Sequence, residues 1–196
     1  MADFCVVADL AEFLQVEIST AAQIASAERA IAEASAAIRN YCNQTIELVE
    51  DDTITLDSVG KTVIILPELP VVSVGAVVED DETLTVDDDY KLGQWGILYR
   101  IGARWKVGIQ IIEITYDHGY ATIPVDVEAV CVRAASRAYQ AGLKAAAMEG
   151  VPGVSATALG DYSVSYAGEG ASESSGSRML LLSEKDMLNR YRYTPA

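Results

Sequence analysis

Seven consecutive residues, Ile111-Ile112-Glu113-Ile114-Thr115-Tyr116-Asp117, limit what this chain can become more than any others. Ile112, Ile114 and Tyr116 fall on one side, and Glu113, Thr115 and Asp117 on the other. This period of two predicts a half-buried strand. Asp117, His118 and Gly119 then supply turn chemistry, because glycine accepts positive φ without steric cost. Pro124 suits the first turn of a helix, and Asp126 and Glu128 suit its positive N-terminus. Val127, Val130, Cys131, Ala134, Ala138 and Tyr139 follow at helical spacing and are expected to pack back onto the sheet. Strand, turn and helix make a folding unit with no catalytic pattern in it.

Charge narrows the function. Twenty-nine acids stand against 14 Lys and Arg, a net −15. A nucleic-acid reader needs clustered cations to displace phosphate counterions, so that class is set aside. An acidic wall can instead let a duplex pass without holding it. The 196 residues allow one sizeable core with a small appendage. No apolar run is long enough to span a bilayer. The start, Met-Ala-Asp-Phe-Cys, lacks a basic n-region, so no leader is predicted and synthesis is read as intracellular. Three cysteines, no Cys-x-x-Cys spacing and one histidine argue against a zinc site. Reduced, buried thiols are expected.

In chain order, a short helix is expected over residues 9–15, capped by Asp9. A second is expected from Thr20 to Cys42, where Thr20 and Gln23 make a capping-box pattern ahead of the stripe Ile24, Ala27, Ile31, Ala34, Ile38, Tyr41. From Ile46 to Ile101 short β-rich runs alternate with turn residues, which predicts antiparallel meanders. Acids collect at their tips: Asp80, Asp81, Glu82, Asp87, Asp88 and Asp89. Gly160 to Tyr166 reads as a small strand, Gly168 to Ser177 as a Gly/Ser/Glu linker, and Ser183 as the cap of a last short helix.

None of the candidate chemistry outweighs a plain structural reading. The acidic hairpin lacks a calcium loop's Asp-x-Asp-x-Asp-Gly frame. His118 beside Asp117 has no nucleophile motif near it and is read as a turn histidine. Gly93-x-x-Gly96 has no helix behind it to make a dinucleotide fingerprint, so no cofactor is expected. Trp95 and Trp105 are read as packing anchors. The Arg and Tyr content of residues 188–193 is that of an interface anchor, or of a helix closing its own domain.

The order of these parts resembles the head-tail connector (adaptor) proteins of tailed bacteriophages. The residues that carry the resemblance are Gly96-Ile97-Leu98-Tyr99-Arg100, Trp105-x-x-Gly108, Ile112-x-Ile114-x-Tyr116-x-x-Gly119-Tyr120, Pro124-x-Asp126-Val127, Gly160-Asp161-Tyr162-Ser163-Val164 and Leu188-x-Arg190-Tyr191-Arg192. The expected fold is α+β: an N-terminal helix pair and a central helix packed with an antiparallel β region, plus a C-terminal anchor helix. Residues 1–167 form the adaptor domain, 168–177 a linker, and 178–196 the anchor and tail. The resemblance implies a structural, non-enzymatic protein of the virion neck, assembled in the host cytoplasm. It forms a ring, a dodecamer, between the portal protein and a stopper or tail-completion protein, through which DNA passes without specific binding. Met187, Leu188, Arg190, Tyr191 and Arg192 are the expected portal contacts, and removing everything beyond Gly176 is expected to leave the core folded. Asp80, Asp81, Glu82, Asp87, Asp88 and Asp89 are expected to form an acidic channel or loop face. The alternative is a tail-side or host-surface binding module using the acidic loops, with or without calcium. A hydrolase built on those carboxylates ranks third, since hairpin tips give no reason for paired acids to split in pKa.

Overall fold

The alternating stretch lies inside a strand of 12 residues, Val107–His118, and Ile112, Ile114 and Tyr116 are fully buried. The structure is a computed structural model that describes residues 2–147, 156–159, 162–165 and 179–193. The expected Gly168 to Ser177 linker lies outside the described residues. The chain is α+β and divides into two units.

The first unit holds Ala2, Arg39–Pro124 and residues 189–193. Its strands are β1 (Val49–Val59), β2 (Val63–Ile65), β3 (Val71–Glu79), β4 (Glu82–Thr83), β5 (Tyr90–Leu92), β6 (Ile97–Arg100) and β7 (Val107–His118). They form two sheets, ordered β1-β7-β3-β4 and β2-β6-β5, with every pair antiparallel. The expected meander is corrected here. β7 pairs with β1 on one edge and β3 on the other, so its neighbours come from far along the chain. Leu66, Val77, Tyr90, Leu98, Trp105, Ile112, Ile114 and Tyr116 form one core with members from both sheets. Burying each large apolar side chain contributes roughly 1.5–3 kcal/mol. Asp80 and Asp81 make the two-residue turn between β3 and β4. Both have positive φ, as a type I′ hairpin requires.

Gly119 closes the strand that the sequence placed there. Its φ is +92°, and a Cβ would overlap the carbonyl oxygen of Glu47. The close approach lets Gly119 N–H donate to Pro70 O at 2.9 Å and Tyr120 N–H donate to Ile46 O at 2.9 Å. His118, expected as a turn histidine, ends β7. It is buried, and its Nε2 lies 3.2 Å from Asp52 Oδ2 rather than beside Asp117.

The second unit holds Asp3–Ile38 and the described part of Val125–Leu188. Its helices are α1 (Val7–Leu14), the greater part of α2 (Ala21–Cys42), α3 (Val125–Ala147) and α4 (Leu182–Leu188). β8 (Ala156–Leu159) and β9 (Tyr162–Ser165) form a hairpin, of which only the second strand was expected. α1 starts two residues before its expected beginning. Asp9 still acts at its N-terminus, accepting Val6 N–H at 2.7 Å from the third helical position. The capping box of α2 is as expected: Thr20 N–H donates to Gln23 Oε1 at 3.1 Å and Gln23 N–H to Thr20 Oγ1 at 3.3 Å. α1 and α4 both pack on α3.

One tail expectation is corrected. Glu184, not Ser183, serves the start of α4, accepting Leu181 N–H at 2.9 Å. Arg137 holds the same carboxylate through two bonds of 2.7 and 2.6 Å. Leu188 has no exposed surface and Tyr191 only 4%. A truncation beyond Gly176 strips both buried residues and leaves Arg137 without Glu184, so it is expected to destabilise the remainder.

Gly119→Ala is expected to destabilise the protein by about 3 kcal/mol or more, through both steric overlap and an unfavourable φ. Gly102→Ala is the control. Its φ of +66° is also positive but nothing lies within 4 Å of the added Cβ, so the cost should be about 1 kcal/mol. Denaturant unfolding of the two variants measures the difference.

Candidate functional site

The C-terminal residues and the sheet of β2 together form a cleft of about 890 Å³ in the first unit. β2 is an edge strand, so one side of Val63–Ile65 is left unpaired by the sheet. A 3-10 turn, Gln94–Gly96, forms the facing wall, with Trp95 in the left-handed region at φ 62° and ψ 31°. Gly96 explains why this turn is tight. A Cβ there would come within 2.7 Å of Leu69 Cδ2 and 2.9 Å of Val71 Cγ2. The result is a tryptophan that is 79% exposed, with Ile65 at 50% nearby on the same cleft. Trp105 is the packing anchor the sequence predicted, at 1% exposure, but Trp95 is not. Sequence composition alone treats the two alike. The flanking Gly93 and Gly96 were the only sign that Trp95 sits on a turn.

Residues 189–193 are laid along the cleft by their own contacts. Tyr193 N–H donates to Cys42 O at 2.8 Å, Tyr41 Oη–H donates to Asn189 Oδ1 at 2.6 Å, and Gln44 Nε2–H donates to Tyr191 O. The Tyr120 and Tyr191 rings meet edge to face at 5.8 Å between centroids. Arg190 and Arg192 are exposed. The first lies over the Tyr191 ring at 4.8 Å, the second over Tyr41 at 5.6 Å. Lys61 adds a third cation to the cleft. Of the expected portal contacts, Leu188 and Tyr191 are buried within the chain, Met187 is half-buried, and Arg190 and Arg192 remain on the surface.

The acidic residues of the hairpins gather about three local cations. Lys106 Nζ lies 3.1 Å from Asp80 and 4.0 Å from Glu82. Arg100 lies 3.2 Å from Asp89 and 3.5 Å from the buried Glu79, with Trp105 at 5.8 Å. Lys91 pairs with Asp87 at 3.8 Å. Asp81 and Asp88 have no ion pair among the described residues. No group of three metal-ligating side chains is gathered among the described residues.

Acids also accept backbone N–H groups, two of them where strand register shifts. Asp57 accepts Gln110 N–H at 2.7 Å, Glu79 accepts Lys106 N–H at 2.7 Å, and Asp117 accepts Asp51 N–H at 2.8 Å. Asp117 also accepts the Ser73 hydroxyl at 2.6 Å. That hydroxyl, and then the Asp51 N–H, hold the Asp117 carboxyl below its usual 3.8. The unfolded chain therefore binds more protons near that pH. Asp117 stabilises the fold fully above 3.8, and the effect is lost as pH falls through the lower folded-state value. Asp117→Asn should thus lower Tm at neutral pH, and the gap to wild type should close in more acidic buffer. Thermal melts across an acid titration measure it.

Comparison with known proteins supplies what geometry alone does not. A family model of head completion proteins matches residues 4–134. The chain is similar to a chain in the neck of a native gene transfer agent (GTA) particle with C12 symmetry. That match has 16% identity and a TM-score of 0.48, and covers 97% of this chain and 89% of the other. It is also similar to a chain in the neck of an empty GTA particle with C6 symmetry, at 17% identity and TM-score 0.47, covering 95% and 90%. A third match, in the virion of the native particle, has 17% identity and TM-score 0.46, covering 100% and 96%. No curated protein matches the chain.

Proposed function

This chain belongs to the head completion protein family, and from that premise we propose that it is a structural, non-catalytic protein of the virion neck. Copies of it form a ring between the portal and a stopper or tail-completion protein, and the ring continues the DNA passage. Family membership over residues 4–134 is the observation that carries this reading. The cleft adds the means of attachment. Trp95 presents a large aromatic surface at low ordering cost, and Arg190, Arg192 and Lys61 stand around it in a chain of net −15. Aromatic and arginine side chains are the usual centres of binding energy at protein interfaces. Leu188 and Tyr191 keep the tail in place, so the portal contact falls to the surface residues beside them. The acidic tips supply the opposite property. Asp81 and Asp88, without ion pairs among the described residues, keep their charge outward and repel phosphate.

Mixing the purified protein with its portal should give a ring on one portal face by electron microscopy. Free portal particles at all ratios would reject the reading. Trp95→Ala and Arg192→Glu should each weaken portal capture by about tenfold or more. Because both side chains are exposed, stability should change by less than about 0.5 kcal/mol, as denaturation would show. A separate check concerns DNA. The protein should give no duplex gel shift at physiological salt, whereas a shift that weakens steeply with added salt would argue for phosphate binding.

A further inference from the structure

Cys5 and Cys131 stand 126 positions apart in the chain, yet their sulfur atoms are 3.3 Å apart and both residues are buried. The sequence offers no spacing that would pair them. The fold of the second unit brings them together by fastening the segment that precedes α1. Phe4, 3% exposed, donates its N–H to Ser35 Oγ of α2 at 3.1 Å. The next residue, Cys5, donates its S–H to Cys131 Sγ of α3. Ser35 Oγ lies 3.5 Å from that same sulfur. Cys131 is thus the sulfur best supported as a thiolate, with a thiol and a hydroxyl beside it. Cys42 belongs to the other unit, and burial pushes its thiol up to about 11.

Two thiols and one hydroxyl are too few donors for a structural zinc ion, and no third metal-ligating side chain joins them among the described residues. What the pair can do is bond. A disulfide sulfur–sulfur distance is about 2.0 Å, a short closing movement from the observed contact.

We propose that Cys5 and Cys131 form a modification site, a dithiol that a small-molecule disulfide oxidises to a bond tying the N-terminal segment to α3. With glutathione disulfide, the Cys131 thiolate attacks one sulfur, the small S–S bond breaks, and one glutathione leaves as thiolate. Deprotonated Cys5 then attacks the Cys131 sulfur of the mixed disulfide and releases the second glutathione. Two protein thiols lose two electrons, the glutathione disulfide gains them, and the two protons end on the released glutathione thiols. A protein made in a reducing cell and carried outside it in a particle would cross between the two states. That use rests on the neck reading, whereas the chemistry of the pair does not.

The test uses isolated full-length protein without portal, so its outcome is independent of the neck reading. Burial slows exchange in the native state. The protein is therefore equilibrated with reduced and oxidised glutathione at its denaturant midpoint, refolded by dialysis and freed of glutathione. Wild type should lose the mass of two hydrogens, retain one titratable thiol of three, and yield a peptide linking Cys5 to Cys131. Cys42→Ser should form the same bond, and Cys5→Ser should form none. Closing a loop of this length should raise Tm on the order of 10 °C above the dithiothreitol-reduced protein. Three persistent thiols, stable glutathione adducts, linkages shared evenly with Cys42, or a bond that lowers Tm would each overturn the proposal.

Discussion

β7 is hydrogen-bonded along both edges, and the first unit depends on that double pairing. An edge strand can shift register and keep one set of partners, but a strand flanked on both sides cannot. Ile112, Ile114 and Tyr116 are thereby fixed on the core side, opposite Ile54 and Leu56 along β1 and beside Val77 of β3. Where β7 ends, Gly119 passes against the Glu47 backbone and donates its N–H to Pro70 O, while Tyr120 N–H donates to Ile46 O. A side chain at position 119 would push apart three segments at once. The sheet and the chain reversal that follows it are therefore one constraint.

The net charge of −15 is not simply a surface property. Both flanks of β7 carry register shifts, and such irregularities leave backbone N–H groups without a strand partner. Asp57 and Asp117 accept such groups, at Gln110 and Asp51, and Glu79 accepts the Lys106 N–H just before β7 begins. An ionised carboxylate is a stronger acceptor than a neutral oxygen, so acids are well suited to positions where the ladder breaks. Others are neutralised locally by Lys106, Lys91 and Arg100. The charge left to act at a distance is less than the composition implies.

The difference between acids that shape the sheet and acids that face solvent was not legible in the sequence, because both occur between β-rich runs. What was legible had a local cause. The alternation of residues 111–117, the Thr20–Gln23 capping box and the Pro124 helix start each follow from neighbours within four positions. The α+β class followed from them. Sheet order did not, since β1 meets β7 across an interval that no short-range pattern encodes. The same limit explains Trp95 and Trp105, which share composition and differ only in whether the chain turns beneath them. It also explains His118, whose partner Asp52 is 66 positions away.

The tail illustrates how burial and binding can serve one another. A tail free in solution must be ordered before it can hold a partner, and that cost falls on every rotamer-rich side chain that it fixes. Here Leu188 and Tyr191 are already buried, and Gln44, Cys42 and Tyr41 already hold the backbone and side chains of residues 189–193. The ordering is complete before any partner arrives. Arg190 and Arg192 are then presented over aromatic rings instead of moving freely, and stacking of this kind orients a guanidinium. Residues that look like contacts by composition can act instead as the support that makes their neighbours effective contacts. On the proposed reading, arginines stacked on aromatic rings in the same cleft as an exposed tryptophan would make a more specific contact than two apolar anchors on a tether.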